Sequence, residues 1–305
     1  MTSACDRRLS VRTVFLGTSD FAAGILRRLV DSRHRPALVI TRPDRPRGRG
    51  RKLAAPPVAE AARDLGFEAY QPASVNDEQA RARIAEAAPE AICVCAFGAL
   101  IKEPLISDHL ILNVHPSLLP RWRGAAPIER AIMAGDASTG VSIMRLTAGL
   151  DSGPVCAQTA EPIGAFDTYG SLAARLEGLG GELLLRVLDT TPACTPQNDA
   201  LATYAEKIGP ADRELDPARP ADELERAVRA LTPHIGAHVK LPDETWLGVR
   251  EARAHPHSGP PPGTISWDGP RPVLGCSEGA LELITVQPQG RRSMSGEDFL
   301  RGHRR

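Results

Sequence analysis

Lysine is nearly missing from this chain. Of 37 basic residues, only Lys52, Lys102, Lys207 and Lys240 are lysines. With alanine, arginine, glycine and proline abundant, this reads as a GC-rich coding bias, so arginine alone marks no site. Net charge is also missing, because 37 basic residues balance 37 acidic ones. That excludes a molecule-wide field for polyanions, and any basic site has to be local. No apolar run approaches the ~18 residues of a membrane span, and the N-terminus carries no signal-like apolar region. A soluble, cytoplasmic protein is expected. The six cysteines (Cys5, Cys93, Cys95, Cys156, Cys194 and Cys276) contain no CxxC pair. No disulfide framework is expected, and Cys93 and Cys95, inside an apolar run, read as packed thiols.

Several catalytic signatures are absent too. No GxSxG elbow presents a serine nucleophile. No His/Cys/Asp cluster has zinc spacing, so no metal site is expected. The segment GTSDFAAG (17–24) is not GxGxxG, which argues against a nicotinamide oxidoreductase. What is left favours attack by a substrate's own nucleophile over covalent catalysis.

What is present is a globular composition, 42% hydrophobic and 24% charged, over 305 residues, enough for two cores. Apolar strands are predicted at 11–17, 37–41, 90–98 and 110–115. They alternate with helices, among them SDFAAGILRRLV, capped by Ser19 or Asp20, and PPVAEAARDLG. This pattern implies an α/β fold with a parallel-rich sheet and helices on both faces. Further strands are expected at 140–147 and 155–163, then one long helix at 168–188. The stretch 189–200, rich in Pro, Thr and Asn, has no period and reads as a linker. Beyond it come a lone helix (220–231), short β-like runs (AHVKL, TWLGVREARA, GTISW, PVLGC, ALELITVQP) and a short closing helix, the texture of a small β-barrel or sandwich. The expected organisation is a catalytic domain at 1–189, a linker at 190–210 and a C-terminal β-barrel domain at 211–305.

Two segments carry chemistry. In LILNVH (110–115), Asn113 and His115 are two residues apart, so their side chains share one face. Pro116 keeps His115 extended and stops the strand there. Open parallel sheets bind ligands at the carboxyl ends of their strands, where this pair lies. An amide N–H and an imidazole suit a carbonyl oxygen gaining charge under attack, and one such donor is worth roughly 10²–10³ in rate. A carboxylate to orient the imidazole is available at Asp151, in the Gly-flanked turn GLDSGP (149–154), and would favour the protonated ring. The second segment is RPDRPRGRGRKL (42–53). It holds Arg42, Arg45, Arg47, Arg49, Arg51 and Lys52 against one acid, Asp44, and follows the second strand. It is expected to project from the same rim and to meet a phosphate backbone.

NVHPSLLPRWRGAAPI (113–128), together with GLDSGP, resembles the folate-dependent formyltransferases over nearly the whole chain, from about 11 to about 302. The basic loop, YQPASV, TYAEKI and LITVQPQGRRSM are similar to the branch of that family acting on methionyl-tRNA. The resemblance implies a Rossmann-like formyltransferase domain followed by a barrel resembling an OB-fold. It implies 10-formyltetrahydrofolate as formyl donor and methionyl initiator tRNA as acceptor, with no metal required; a monomer is expected. It assigns catalysis to Asn113, His115 and Asp151. It assigns folate contacts to Ser117, Leu118, Leu119 and Pro120, with Phe97, Gly98 and Leu100 lining the pterin pocket, and tRNA contacts to the six basic residues of 42–52. The chain departs from that branch in reading DSGP where Asp-Thr-Gly-Asp is usual, in LTPHIGAHV (231–239), and in its few barrel lysines. Formylation of an amino sugar or of glycinamide ribonucleotide is the nearest alternative.

Overall fold

The computed structural model describes residues 10–47, 52–257 and 259–303. The chain divides into two compact units. The first comprises Met1–Arg123, Gly140–Glu161 and Ala174–Thr203, and the second Gly124–Thr139, Pro162–Ala173 and Tyr204–Arg305.

The first unit is built on a sheet of β1 (Thr13–Gly17), β2 (Pro36–Ile40), β5 (Ala91–Cys95), β6 (Ile111–His115), β8 (Ser138–Arg145) and β9 (Val155–Pro162), in the order β2-β1-β5-β6-β8-β9. β1, β5 and β6 are buried at every position, as continuous apolar runs in a two-sided core should be. Val14, Leu16, Ile40, Ile92, Val94 and Ile111 join in one cluster. Helix α1 (Asp20–Val30) starts where Ser19 accepts from the Ala22 N–H and buries Phe21, Ile25, Leu26 and Leu29. α2 (Pro57–Asp64) begins on a proline, α3 (Glu78–Glu86) is capped by Asp77, and α4 (Leu105–Asp108) is a single turn. The long helix α6 (Tyr169–Thr190) follows β9.

β1, β2, β5 and β6 run parallel, but β8 is antiparallel to β6, with Asn113 opposite Met144 and His115 opposite Ser142. The buried run Val141–Met144 would read alike in either direction, because burial sets the pattern and the connection sets the direction. The basic segment is also more regular than its composition implies. β3 (Arg45–Arg47) pairs antiparallel with β4 (Lys52–Ala54), Arg47 standing opposite Lys52.

The 191–203 stretch, which has no hydrophobic period, is held to the first unit by specific bonds. Val155 and Thr195 exchange two backbone hydrogen bonds of 2.8 Å. Beside them Cys156 and Cys194 form a disulfide, with Cα atoms 3.9 Å apart. This corrects the expectation that no disulfide is present. Residues facing each other across an antiparallel bridge meet whatever their separation in sequence.

β7 (Arg123–Gly124) and β10 (Tyr204–Ala205) are two-residue strands. In the second unit, α5 (Pro127–Ala134) ends at Gly135 with φ 72°. The main sheet is antiparallel. It takes β11 (Ala237–Lys240), β12 (Trp246–His255), β13 (Ile265–Ser266), β14 (Val273–Gly275) and β15 (Ala280–Pro288) in the order β11-β12-β15-β14-β13, with β16 (Met294–Ser295) on β15. α7 (Ala221–Leu231) lays Leu224, Val228 and Leu231 in a core with Leu247, Val249, Leu281 and Val286, and Phe299 of α8 (Gly296–His303) joins them.

Candidate active site

β6 ends at His115, where Pro116 interrupts it, and both its polar residues are buried: Asn113 is 9% and His115 4% exposed. Such polar groups need partners or a purpose. His115 Nε2 lies 2.9 Å from the Trp122 carbonyl oxygen. A carbonyl only accepts, so Nε2 carries the proton of that bond. The other nitrogen, Nδ1, faces Asp151, with Oδ2 3.7 Å away. Asp151 stands in the loop after β8 at φ 43°. This left-handed backbone is one that Asp tolerates better than most residues. The three residues predicted for catalysis thus come together, with Asn113 on the imidazole's own strand face.

The turn after β6 is held from within the first unit. Ser117 is fully buried, and its hydroxyl donates to the Arg121 carbonyl at 2.6 Å. Ser142 donates to the Ser117 carbonyl at 2.6 Å and accepts from the Leu119 N–H at 3.1 Å. Gln158 Nε2 donates to Ser142 Oγ and to the Leu119 carbonyl, both at 2.8 Å. Leu118 lies over Gly140, where an added Cβ would come 2.6 Å from the leucine and 2.2 Å from the Thr159 carbonyl oxygen. Only glycine lets strand and turn approach this closely. Leu119 is buried, Leu118 and Pro120 half-buried.

Beyond the ends of β1 and β5, a cavity of about 320 Å³ is lined by Thr18, Ser19, Arg42, Arg45, Phe97 and Gly98, among others. Thr18 Oγ1 donates to the Phe97 carbonyl at 2.7 Å, and Arg42 to the Gly98 carbonyl at 3.3 Å. Leu100 is 66% exposed, although Asn76 pins its backbone carbonyl at 2.8 Å. Arg45 and Lys52 are exposed. Arg49 and Arg51 lie outside the described residues.

The buried thiols are unsuited to act as nucleophiles. Burial pushes Cys93 up to about 12 and Cys95 higher still, with Glu177 adding to the effect, so neither presents a thiolate at neutral pH. Among the described residues, no group of three or more His, Cys, Asp or Glu is placed to hold a metal ion. Sequence reasoning missed the Trp122 carbonyl, which fixes the imidazole's tautomer, and the braces Ser142 and Gln158. Backbone acceptors leave no trace in composition, and a serine inside an apolar strand reads as filler. An amide and an oriented imidazole at the end of β6, with a carboxylate from the loop after β8, suit an addition to a carbonyl carbon.

The model of the formyl transferase family matches residues 11–188, and that of the formyl transferase C-terminal domain matches residues 207–304. The chain belongs to the formyl transferase family. Its relatives in that family include a methionyl-tRNA formyltransferase of Methylococcus capsulatus, 42% identical over 96% of this chain and 97% of the relative. Another, from Halorhodospira halophila, is 42% identical over 97% of each chain. In fold, this formyl transferase is similar to HypX from Aquifex aeolicus, solved in complex with tetrahydrofolic acid, with a TM-score of 0.65 at 17% identity over 95% of this chain and 47% of that one. It is also similar to an N-formyltransferase from Helicobacter canadensis, with a TM-score of 0.65 at 14% identity over 90% of this chain and 98% of that one.

Proposed function

We propose that the protein transfers the formyl group of 10-formyltetrahydrofolate to the α-amino group of methionine esterified to initiator tRNA, giving N-formylmethionyl-tRNA. The approach of Asp151 to His115 beside Asn113, in a chain similar over 96–97% of its length to methionyl-tRNA formyltransferases, carries this reading.

Asn113 and His115 stabilise the charge that gathers on the formyl oxygen as the amine attacks the formyl carbon. Asp151 keeps His115 in place and takes, through water, the proton the amine loses; positioned acid–base groups contribute roughly 10²–10⁴ in rate. The folate supplies the formyl carbon; the bond from that carbon to N10 then breaks, and N10 leaves with the proton that Asp151 has taken from the amine. The residues present suit such a ligand. A flat heteroaromatic ring needs apolar walls and backbone edges. An exposed Leu100, the Phe97–Gly98 segment, where a Cβ on Gly98 would meet nothing within 4 Å, and the 117–120 turn offer both.

Arg42, Arg45, Arg47, Arg49, Arg51 and Lys52 contact the acceptor arm through phosphates. The reading assigns catalysis to residues 1–189 and support of the tRNA body to an OB-like domain at 211–305, joined by 190–210. The enzyme works as a monomer in the cytoplasm. Among the described residues no helix is long and apolar enough to cross a membrane.

The test is an acceptor assay: purified protein and 10-formyltetrahydrofolate, offered charged initiator tRNA, an amino-sugar nucleotide or glycinamide ribonucleotide. Formylation of the tRNA is expected. Transfer to one of the small acceptors instead would overturn the reading.

A further inference from the structure

Gln197 lies in the period-free stretch after α6, yet every hydrogen-bonding position of its amide is occupied. Nε2 donates to the Asp151 carbonyl at 2.8 Å and to the Gly153 carbonyl at 2.7 Å. Oε1 accepts from Arg123 Nε at 3.0 Å and from Nη2 at 2.8 Å. The amide cannot be turned round, because carbonyls only accept and a guanidinium only donates. Arg123 is 3% exposed, and its Nη2 also meets Asp199 Oδ1 at 2.7 Å. A buried guanidinium is costly unless paired and hydrogen-bonded, so Arg123 keeps Oε1 facing it and leaves both amide hydrogens for the turn.

The two carbonyls held by Gln197 bracket Ser152 and fix the peptide planes on the C-terminal side of Asp151, whose φ is 43°. A residue in this sparse region stays there only when its surroundings hold it. Arg123, at the other end of the amide, follows Trp122, whose carbonyl meets His115 Nε2. Trp122 and Arg123 are bound in turn to the Gln197 stretch: the Trp122 N–H donates to Thr203 Oγ1 and the Arg123 N–H to the Thr203 carbonyl, both at 2.9 Å. One amide therefore ties together the two segments that meet the imidazole at its two nitrogens.

We infer that Gln197, anchored by Arg123, is a positioning residue for the transfer: it sets the Asp151 carboxylate and the Trp122 carbonyl about His115. This rests on the proposed roles of His115 and Asp151. Two variants separate its arms. Gln197→Met keeps the volume and loses all four bonds. Gln197→Glu keeps the Arg123 arm and sets a carboxylate, which has no hydrogen to give, against the two carbonyls.

The test measures kcat and KM for each substrate, the folded fraction by thermal melting, and the His115 ring nitrogens by two-bond proton–nitrogen NMR, with His34 as an internal control. Both variants should lower kcat roughly 10- to 100-fold, the scale of a misplaced catalytic group. KM should stay within about threefold, and the His115 nitrogen signals should move while those of His34 stay. The inference is overturned if kcat per folded molecule is unchanged in either variant, or if the His115 signals keep their wild-type positions. Should the unaltered protein formylate no methionyl-tRNA, the functional reading fails, and the NMR comparison still decides whether Gln197 sets the imidazole's surroundings.

Discussion

His115 Nδ1 and Asp151 Oδ2 stand 3.7 Å apart, beyond hydrogen-bond length yet within ion-pair range. Contacts of this kind commonly tighten only when substrate fills the site. Nε2 is fastened to Trp122, so the ring can close on Asp151 only by pivoting about that bond or by movement of the 149–153 loop.

Removing the amide or the ring should stop chemistry and spare binding. Asn113→Ala and His115→Ala are expected to lower kcat by at least about 10² while tRNA affinity stays nearly intact. Asp151→Asn keeps the shape and removes the charge, and should fall in the same range. Steady-state formylation alongside filter binding of charged tRNA checks this. Wild-type turnover in both Ala variants would remove the trio from the mechanism.

The exposed cations of the hairpin should act on affinity instead. Arg45→Ala combined with Lys52→Ala is expected to weaken tRNA binding and to flatten its salt dependence. The slope of log K against log salt should fall by roughly 0.7–0.9 for each phosphate that is no longer neutralised. A slope that does not change would mean that these residues touch no phosphate. Turnover of saturated enzyme should change little.

Ser142 is fully buried and bonded to Ser117, Leu119 and Gln158. Ser142→Ala leaves the Leu119 N–H without that acceptor, in a place water does not reach. A loss of about 1–3 kcal/mol in unfolding free energy is expected. Urea titration measures it; a shift below about 0.5 kcal/mol, within the usual range for surface changes, would show that the turn repacks freely.

The second unit should lose stability in acid through Asp212. Two hydrogen bonds from Arg130, at 2.6 and 3.0 Å, hold this carboxyl below its ordinary 3.8, against the opposing effect of burial. A depressed folded value means that the unfolded chain takes up the proton first as pH falls. The contribution is therefore complete above 3.8 and lost as pH drops through the lowered value. Asp212→Asn should cost stability at neutral pH and make the remaining stability less sensitive to acid, as read by thermal melts between neutral pH and about pH 2. An acid limb unchanged by the substitution would refute the link.

Much of this architecture was legible in the residues. Ser19 caps α1, Pro116 ends β6 at His115, and the two-residue spacing of Asn113 and His115 requires a shared face. Asp151 could be proposed because a Gly-flanked acid after a strand is a recognisable turn. What stayed hidden depends on pairings distant in sequence. Gln197 reaches partners 44 to 74 residues away, and nothing near it signals that its amide is held at every position. The direction of β8 is set by a connection and not by its apolar run. Cys156 and Cys194 are 38 residues apart and meet only because Val155 and Thr195 pair. The Trp122 carbonyl belongs to the backbone, which every residue shares.

The bond between Cys156 and Cys194 makes this chain two chemical species that differ by a pair of hydrogens. It lies three residues before the amide that grips the Asp151 turn, so thiol reagents in a buffer reach close to the machinery without touching any group that reacts. Rates gathered with and without a reducing agent would then describe different molecules, and an unrecorded storage history could pass for a kinetic effect of sequence.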